Sequence, residues 1–271
     1  MSTGTGTPEL TVVVVYPDLL GTYGDGGNGL ILACRARWRG IDATLVQASS
    51  DRPLPHGDIY CLGGGEDGPQ VRAARSLVEE GTLAGAVDDG AVVLAVCAGF
   101  QLVGRTFPDA SDRPHEGLGL LDVTTRKGGP RRAVGELVAD IDGQGPRGHD
   151  GTPLPRLTGF ENHGGVTSLG ANARPLARVA SGVGNGAGDG TEGAWSGRVI
   201  GTYLHGPVLA RNVALADLLL GWALGDRAGE VLTPLDDAEE DSLRAERLRA
   251  VASARPARSA GGRPRIRRTG S

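Results

Sequence analysis

Apolar positions come along the chain in short unbroken runs, separated by glycine-rich polar stretches. "LTVVVVY" (10–16) is continuous and β-branched, the pattern of a parallel strand covered on both faces. "DATLVQA" (42–48), "DIYCLGG" (58–64) and "AVVLAVC" (91–97) repeat the signal. Helical spacing fills the gaps. "GLILACRARWRG" (29–40) predicts a helix with Asn28 as its N-cap, residues 69–89 predict a helical stretch with a glycine break, and a further helix starts at Gly99. Strand and helix in alternation predict an α/β fold, with a mostly parallel central sheet and flanking helices.

Beyond residue 117 the texture changes. "LGLLDVTT", "AVGELVADI" and "RLTGFEN" are short strands between Gly-, Pro- and Arg-rich turns, and they predict antiparallel additions. "GNGAGDGTEG" (184–193) reads as a flexible hairpin loop. "GRVIGTYLHG" returns to an apolar strand ending at His205, and "LARNVALADLLLGWAL" (209–224) has an amphipathic helical pattern that can pack on the sheet. The expected organisation is a flexible N-terminus over 1–9, one folded domain over 10–235, and a charged helix with an Arg-rich disordered tail over 236–271.

Composition narrows the class. At 271 residues, 39% hydrophobic and 22% charged, the chain has the profile of an ordinary soluble protein able to bury a core. Its three cysteines, Cys34, Cys61 and Cys97, have no paired short spacing, so neither a disulfide framework nor a zinc or other metal site is expected. The apolar run near the start is too short for a leader or a transmembrane segment, which points to the cytoplasm. Net charge is −4, yet the stretch from Arg255 onward carries six Arg and no acid. Such an end suits an anionic membrane surface. No aromatic residues are interleaved with it for base stacking, so no nucleic-acid partner is expected.

The candidate chemistry centres on "VLAVCAGFQLVG". Ligands gather at the carboxyl ends of parallel strands, and Cys97 ends such a strand just before a helix. A sharp turn there would thrust the thiol outward and demand small neighbours, here Ala95 and Gly99. A helix N-terminus beyond it would favour the thiolate. A buried, inert thiol is the competing reading. "GGGED" (63–67) follows another strand at the same edge. The N–H groups of Gly64 or Gly65, with that of Ala98, could form an oxyanion hole. His205 is the first candidate base for a Cys–His pair and His163 the second. No G-x-x-x-x-G-K-[ST] motif is present, so the chain offers no P-loop for ATP.

Five segments, "YPDLLGTYGDGGN", "GGGED", "VCAGFQLVG", "GFENHGG" and "GTYLHGPVLARN", occur in that order within residues 10–225. Together they resemble the class I glutamine amidotransferase family, in its branch related to cobyric acid synthases. Within that branch they are most similar to the glutaminase subunits of lipid II isoglutaminyl synthases. The resemblance implies that Cys97 attacks the carboxamide of L-glutamine and forms a thioester, with His205 as base. It implies an oxyanion hole around Gly64 and Ala98, and an arginine for the substrate, with Arg132 the first candidate and Arg131 the alternative. Gln101, Asp25 and His163 are further candidate site residues.

One departure matters: Pro207 stands where many class I members carry the acid of H-x-E. The cobyric acid synthase branch also lacks that acid, and the group that orients His205 is left open between a partner's carboxylate and Asp25. The resemblance further implies a separate Mur ligase-like synthase subunit of the MurT type. That subunit would hold ATP and Mg2+ and amidate the D-glutamate α-carboxylate of lipid II at the inner face of the membrane; this chain itself would hold no cofactor. Three alternatives stand beside it. One is an amidotransferase for another carboxylate, such as a cobyrinate-like acceptor, and another is an inactive binding module of the same fold. The third is a cysteine hydrolase whose acid would be Asp122 or Asp140.

Overall fold

The computed structural model describes residues 9–253. The expectations for residues 1–8 and for the Arg-rich end lie outside the described residues. The first half alternates as β1 (Glu9–Val15), α1 (Gly27–Trp38), β2 (Asp42–Ala48), β3 (Ile59–Leu62), α2 (Asp67–Glu80), α3 (Thr82–Asp88), β4 (Val92–Val96) and α4 (Ala98–Leu102). Short strands follow: β5 (Thr106–Pro108), β6 (Pro114–Glu116), β7 (Val123–Lys127), β8 (Ala133–Asp140), β9 (Leu157–His163), β10 (Gly165–Leu169), β11 (Ala177–Ser181), β12 (Thr191–Glu192), β13 (Ala194–Ser196) and β14 (Val199–Thr202). The described chain ends with α5 (Val208–Arg211), α6 (Val213–Leu224), α7 (Ala228–Val231) and α8 (Ala238–Ser253).

Six strands make the central sheet in the order β13-β14-β4-β3-β1-β2, parallel except for β13 at its edge. The apolar runs explain it: every residue of β3, β4 and β14 is buried, as strands covered on both faces require. Register then decides what meets at the carboxyl edge. Val15 of β1 pairs with Leu62 of β3, Leu62 with Ala95 of β4, and Val96 with Thr202 of β14. The loops leaving β1, β3, β4 and β14 therefore emerge side by side. Two four-stranded sheets, β10-β7-β5-β6 and β12-β11-β8-β9, are the mainly antiparallel additions.

Four local expectations are corrected. Asn28 lies inside α1, where its Oδ1 accepts the Leu209 N–H at 3.0 Å; Gly26 takes the cap position. The expected helix over 209–224 is broken at Asn212. That side chain donates to the Val208 and Thr158 carbonyls and accepts the Thr158 N–H, so one local bond and two long-range bonds to β9 stand where the helical ladder is interrupted. The segment 184–193 is tied down: Asn185 is fully buried and exchanges hydrogen bonds with Gly193 while donating to Thr191. Finally, the boundary expected at residue 235 cuts through a packed contact. Buried Arg35 of α1 pairs with Asp217 of α6 at 2.8 Å and with Asp237 at 2.6 Å.

Candidate active site

Cys97 sits between β4 and α4 with φ 54° and ψ −105°. A non-glycine residue held there carries roughly 1–3 kcal/mol of strain, and surrounding bonds hold it. Its N–H donates to the Thr202 carbonyl at 2.9 Å, and the Gly99 N–H donates to the Gly63 carbonyl at 3.1 Å. The small neighbours are steric requirements. A Cβ on Gly99 would stand 2.8 Å from Leu62 Cβ, and Ala95 is fully buried. One residue further out, Gly201 leaves room for Phe100 of α4, whose ring carbon would lie 1.9 Å from a Cβ there.

The thiol is almost covered but still borders a cavity. Burial, with the Asp25 charge adding to it, pushes its pKa up to about 12; the Ala98 N–H and Arg132 oppose the rise. At neutral pH the resting group is a thiol, so a nucleophile here needs a base.

His205 follows β14 and is fully buried. Its backbone is fixed by paired bonds with Phe160 of β9. Phe160 stacks on the imidazole at 5.2 Å between centroids, and Tyr23 meets it edge-on at 4.9 Å. Nδ1 lies 2.9 Å from Asp25 Oδ2. A carboxylate accepts, so Nδ1 carries the proton and Nε2 presents a lone pair. Among the described residues Nε2 has no hydrogen-bond partner, although it is buried.

Asp25, on the loop after β1, is the carboxylate bound to His205 in this chain. The same Oδ2 accepts the Gly64 N–H at 3.0 Å. This corrects the expectation for Gly64, whose N–H is committed to Asp25 and is not free for an oxyanion. Gly65 borders the cavity beside it, and no hydrogen bond of its N–H is found among the described residues. Gly64 instead provides space. A Cβ there would stand 3.0 Å from His205 Cε1, 3.3 Å from Asp25 Oδ2 and 3.7 Å from Cys97 Cβ. Thiol, imidazole and carboxylate thus crowd around one missing methyl group.

The cavity measures about 300 Å³ and is lined by Cys97, Ala98, Gln101, Arg132 and His163, among others. That is the small end of ligand pockets, a size for an amino acid. Arg132 reaches it, whereas Arg131 is exposed and does not border it. Gln101 Nε2 donates to the Tyr203 hydroxyl at 3.3 Å, and Gln101 Oε1 accepts from Gln70 at 3.0 Å. His163, the rival base, donates from Nδ1 to the Gly165 carbonyl at 3.0 Å and stacks on Tyr203 at 3.7 Å. Its Nε2 stands 3.6 Å from Glu161, and it has no place around Gly64. Asp122 is bound to Arg105 and Asp140 to Arg156, so neither serves His205. No group of three or more His, Cys, Asp or Glu able to hold a metal occurs among the described residues. No helix among them is long and apolar enough to cross a membrane.

Sequence reasoning passed over Tyr23, Gln70 and Asn162, all on the cavity wall. Tyr23 and Asn162 lie inside two of the quoted segments, "YPDLLGTYGDGGN" and "GFENHGG", which was the available signal.

A thiol on a strained strand-to-helix turn thus faces an amino-acid-sized cavity, near a histidine bound to a buried carboxylate. Residues 11–213 match the CobB/CobQ-like glutamine amidotransferase domain, and the chain belongs to that family. It is 34% identical over 82% of its length to subunit GatD of lipid II isoglutaminyl synthase (glutamine-hydrolyzing) from Streptococcus pneumoniae R6, covering 83% of that protein. It is 33% identical over 89% of its length to the same-named subunit from Staphylococcus aureus N315, covering 94% of it. A crystal structure of a glutamine amidotransferase superposes with a TM-score of 0.53 at 20% identity, covering 78% of this chain and 98% of that one. That likeness establishes the shared fold.

Proposed function

We propose that this chain is the glutaminase subunit of a lipid II isoglutaminyl synthase. It releases ammonia from L-glutamine for a separate Mur ligase-like subunit of the MurT type. The observation that carries the reading is the grouping of Cys97, His205 and Asp25 around Gly64, with Cys97 and Arg132 on one small cavity.

His205 Nε2 takes the Cys97 proton as the sulfur attacks the carboxamide carbon. The oxyanion that forms is met by the N–H groups of Ala98 and Gly65. His205 then returns its proton to the departing nitrogen, the C–N bond breaks, and ammonia leaves a γ-glutamyl thioester. Water, activated by the same imidazole, cleaves the thioester to glutamate and restores the thiol. Asp25 holds the productive tautomer and stabilises the imidazolium. Arg132 pairs with the substrate α-carboxylate through its planar fork.

Ammonia becomes an amide only if a carboxylate is activated, and ATP and Mg2+ on the partner subunit supply that step. The acceptor is the D-glutamate α-carboxylate of lipid II, at the cytoplasmic face of the membrane; the extent and identity of the curated GatD relatives support this assignment. Ammonia release from L-glutamine, measured for the chain alone and with the Mur ligase-like synthase encoded nearest to it, tests the proposal. Release abolished by Cys97→Ala is expected. A folded protein silent in both preparations would overturn it.

A further inference from the structure

Tyr23 and Asn162, which the reaction scheme above does not use, form a clasp with Arg132 across the cavity wall. Asn162 is its centre. Its Oδ1 accepts from Arg132 Nε at 3.2 Å and its backbone carbonyl from Arg132 Nη2 at 3.1 Å. Its Nδ2 donates to the Tyr23 hydroxyl at 2.6 Å. The two arms reach different parts of the site, so one side chain joins substrate recognition to the base.

On the Arg132 side, the bonds occupy one edge of the guanidinium, the edge made by Nε and Nη2. The opposite edge, made by Nη1 and the second Nη2 hydrogen, keeps two parallel donors. That is the bidentate geometry a carboxylate requires. Asn162 therefore fixes the plane of a fork that borders the cavity of Cys97.

On the Tyr23 side, the residue is 42% exposed yet held at φ 63°, in the left-handed region. Its ring meets His205 edge-on at 4.9 Å and Phe160 edge-on at 5.8 Å. Tyr23 is two residues from Asp25, on the same loop. Among the described residues, the hydroxyl bond to Asn162 is the polar tie between this ring and the body of β9.

We infer that Asn162 is a positioning residue coupling the two ends: a carboxylate seated on Arg132 stiffens Asn162, and Asn162 holds Tyr23 and the Asp25 loop against His205. Substrates bearing an α-carboxylate thereby meet a better-ordered base than small amides lacking one. The inference rests on the glutaminase reading.

The test compares two reagents that alkylate Cys97. 6-Diazo-5-oxo-L-norleucine carries the amino-acid carboxylate, and iodoacetamide does not. Rates are followed by mass spectrometry on the full chain, as wild type, Tyr23→Phe and Asn162→Ala. Both variants slow the diazoketone by about tenfold and change the iodoacetamide rate by less than about threefold. Equal changes with the two reagents, or an unchanged diazoketone rate, overturn the coupling. Tyr23→Phe removes one hydroxyl and keeps the ring, so the test survives if Asn162→Ala does not fold. A wild-type chain whose Cys97 ignores the diazoketone and which releases no ammonia fails the glutaminase reading instead.

Discussion

Asp25 and His205 lie 180 residues apart in sequence and meet in a fully buried hydrogen bond of 2.9 Å. The carboxylate reaches the imidazole from the loop after β1, whereas Pro207 stands at the acid position of H-x-E. Asp25→Asn keeps the size of the side chain and loses the charge that stabilises the imidazolium. A fall in kcat of about 100-fold or more is expected, with KM little changed. Steady-state ammonia release with and without the synthase partner decides it, and undiminished turnover would remove Asp25 from the mechanism.

Gly64 tests the crowding directly. Gly64→Ala places a methyl group against His205, Asp25 and Cys97 at the distances given above. Its backbone lies outside the positive-φ glycines, so the substitution acts through space. Turnover should fall by roughly 10- to 100-fold while the protein stays folded, because small displacements of reacting groups cost rate steeply. Circular dichroism and a glutaminase assay on one preparation separate the two effects.

Arg132→Lys retains a positive charge and loses the fork. KM for L-glutamine should rise about tenfold or more with a smaller change in kcat. Arg131→Lys, at an exposed position off the cavity, should leave both constants near the wild-type values. Equal effects of the two substitutions would reassign the carboxylate site.

Alkaline pH should expose Cys61. Burial alone raises this thiol from 9.0 to about 12. The folded state thus holds the proton more tightly, and the stability it contributes is full below pH 9. It drains away as pH climbs toward 12. Urea midpoints at pH 8 and 10.5 should show wild type losing about 2 kcal/mol more than Cys61→Ala over that interval. Parallel losses in the two proteins would count against the raised value.

Much of the fold was legible because buried parallel strands leave unbroken apolar runs, and the strand–helix alternation then fixes the sheet type. Cys97 and His205 were legible for the same reason: each closes such a run. Asp25 was only one candidate among several, since nothing in local spacing reports a contact that register alone creates. Gly64 misled because a glycine-rich turn advertises free N–H groups, and the carboxylate that claims this one comes from another loop. The break at Asn212 was hidden because apolar residues continue at helical spacing on both sides; the bonds its side chain makes with β9 are long-range. Tyr23 and Asn162 carry no chemical signature of their own, and their relation to Arg132 exists only in three dimensions.

The Arg35 cluster bears on how this protein can be cut. Its guanidinium is shared by Asp217 and Asp237, and a chain shortened before residue 236 would keep the buried cation and lose half of its counter-charge. Removing the one partner of a fully buried charge costs about 3–5 kcal/mol, and the loss here is a fraction of that because Asp237 is partly exposed and Asp217 stays paired. The charged segment leading into α8 is thus a keystone of the domain, and trimming for crystallisation or fusion belongs beyond Asp237.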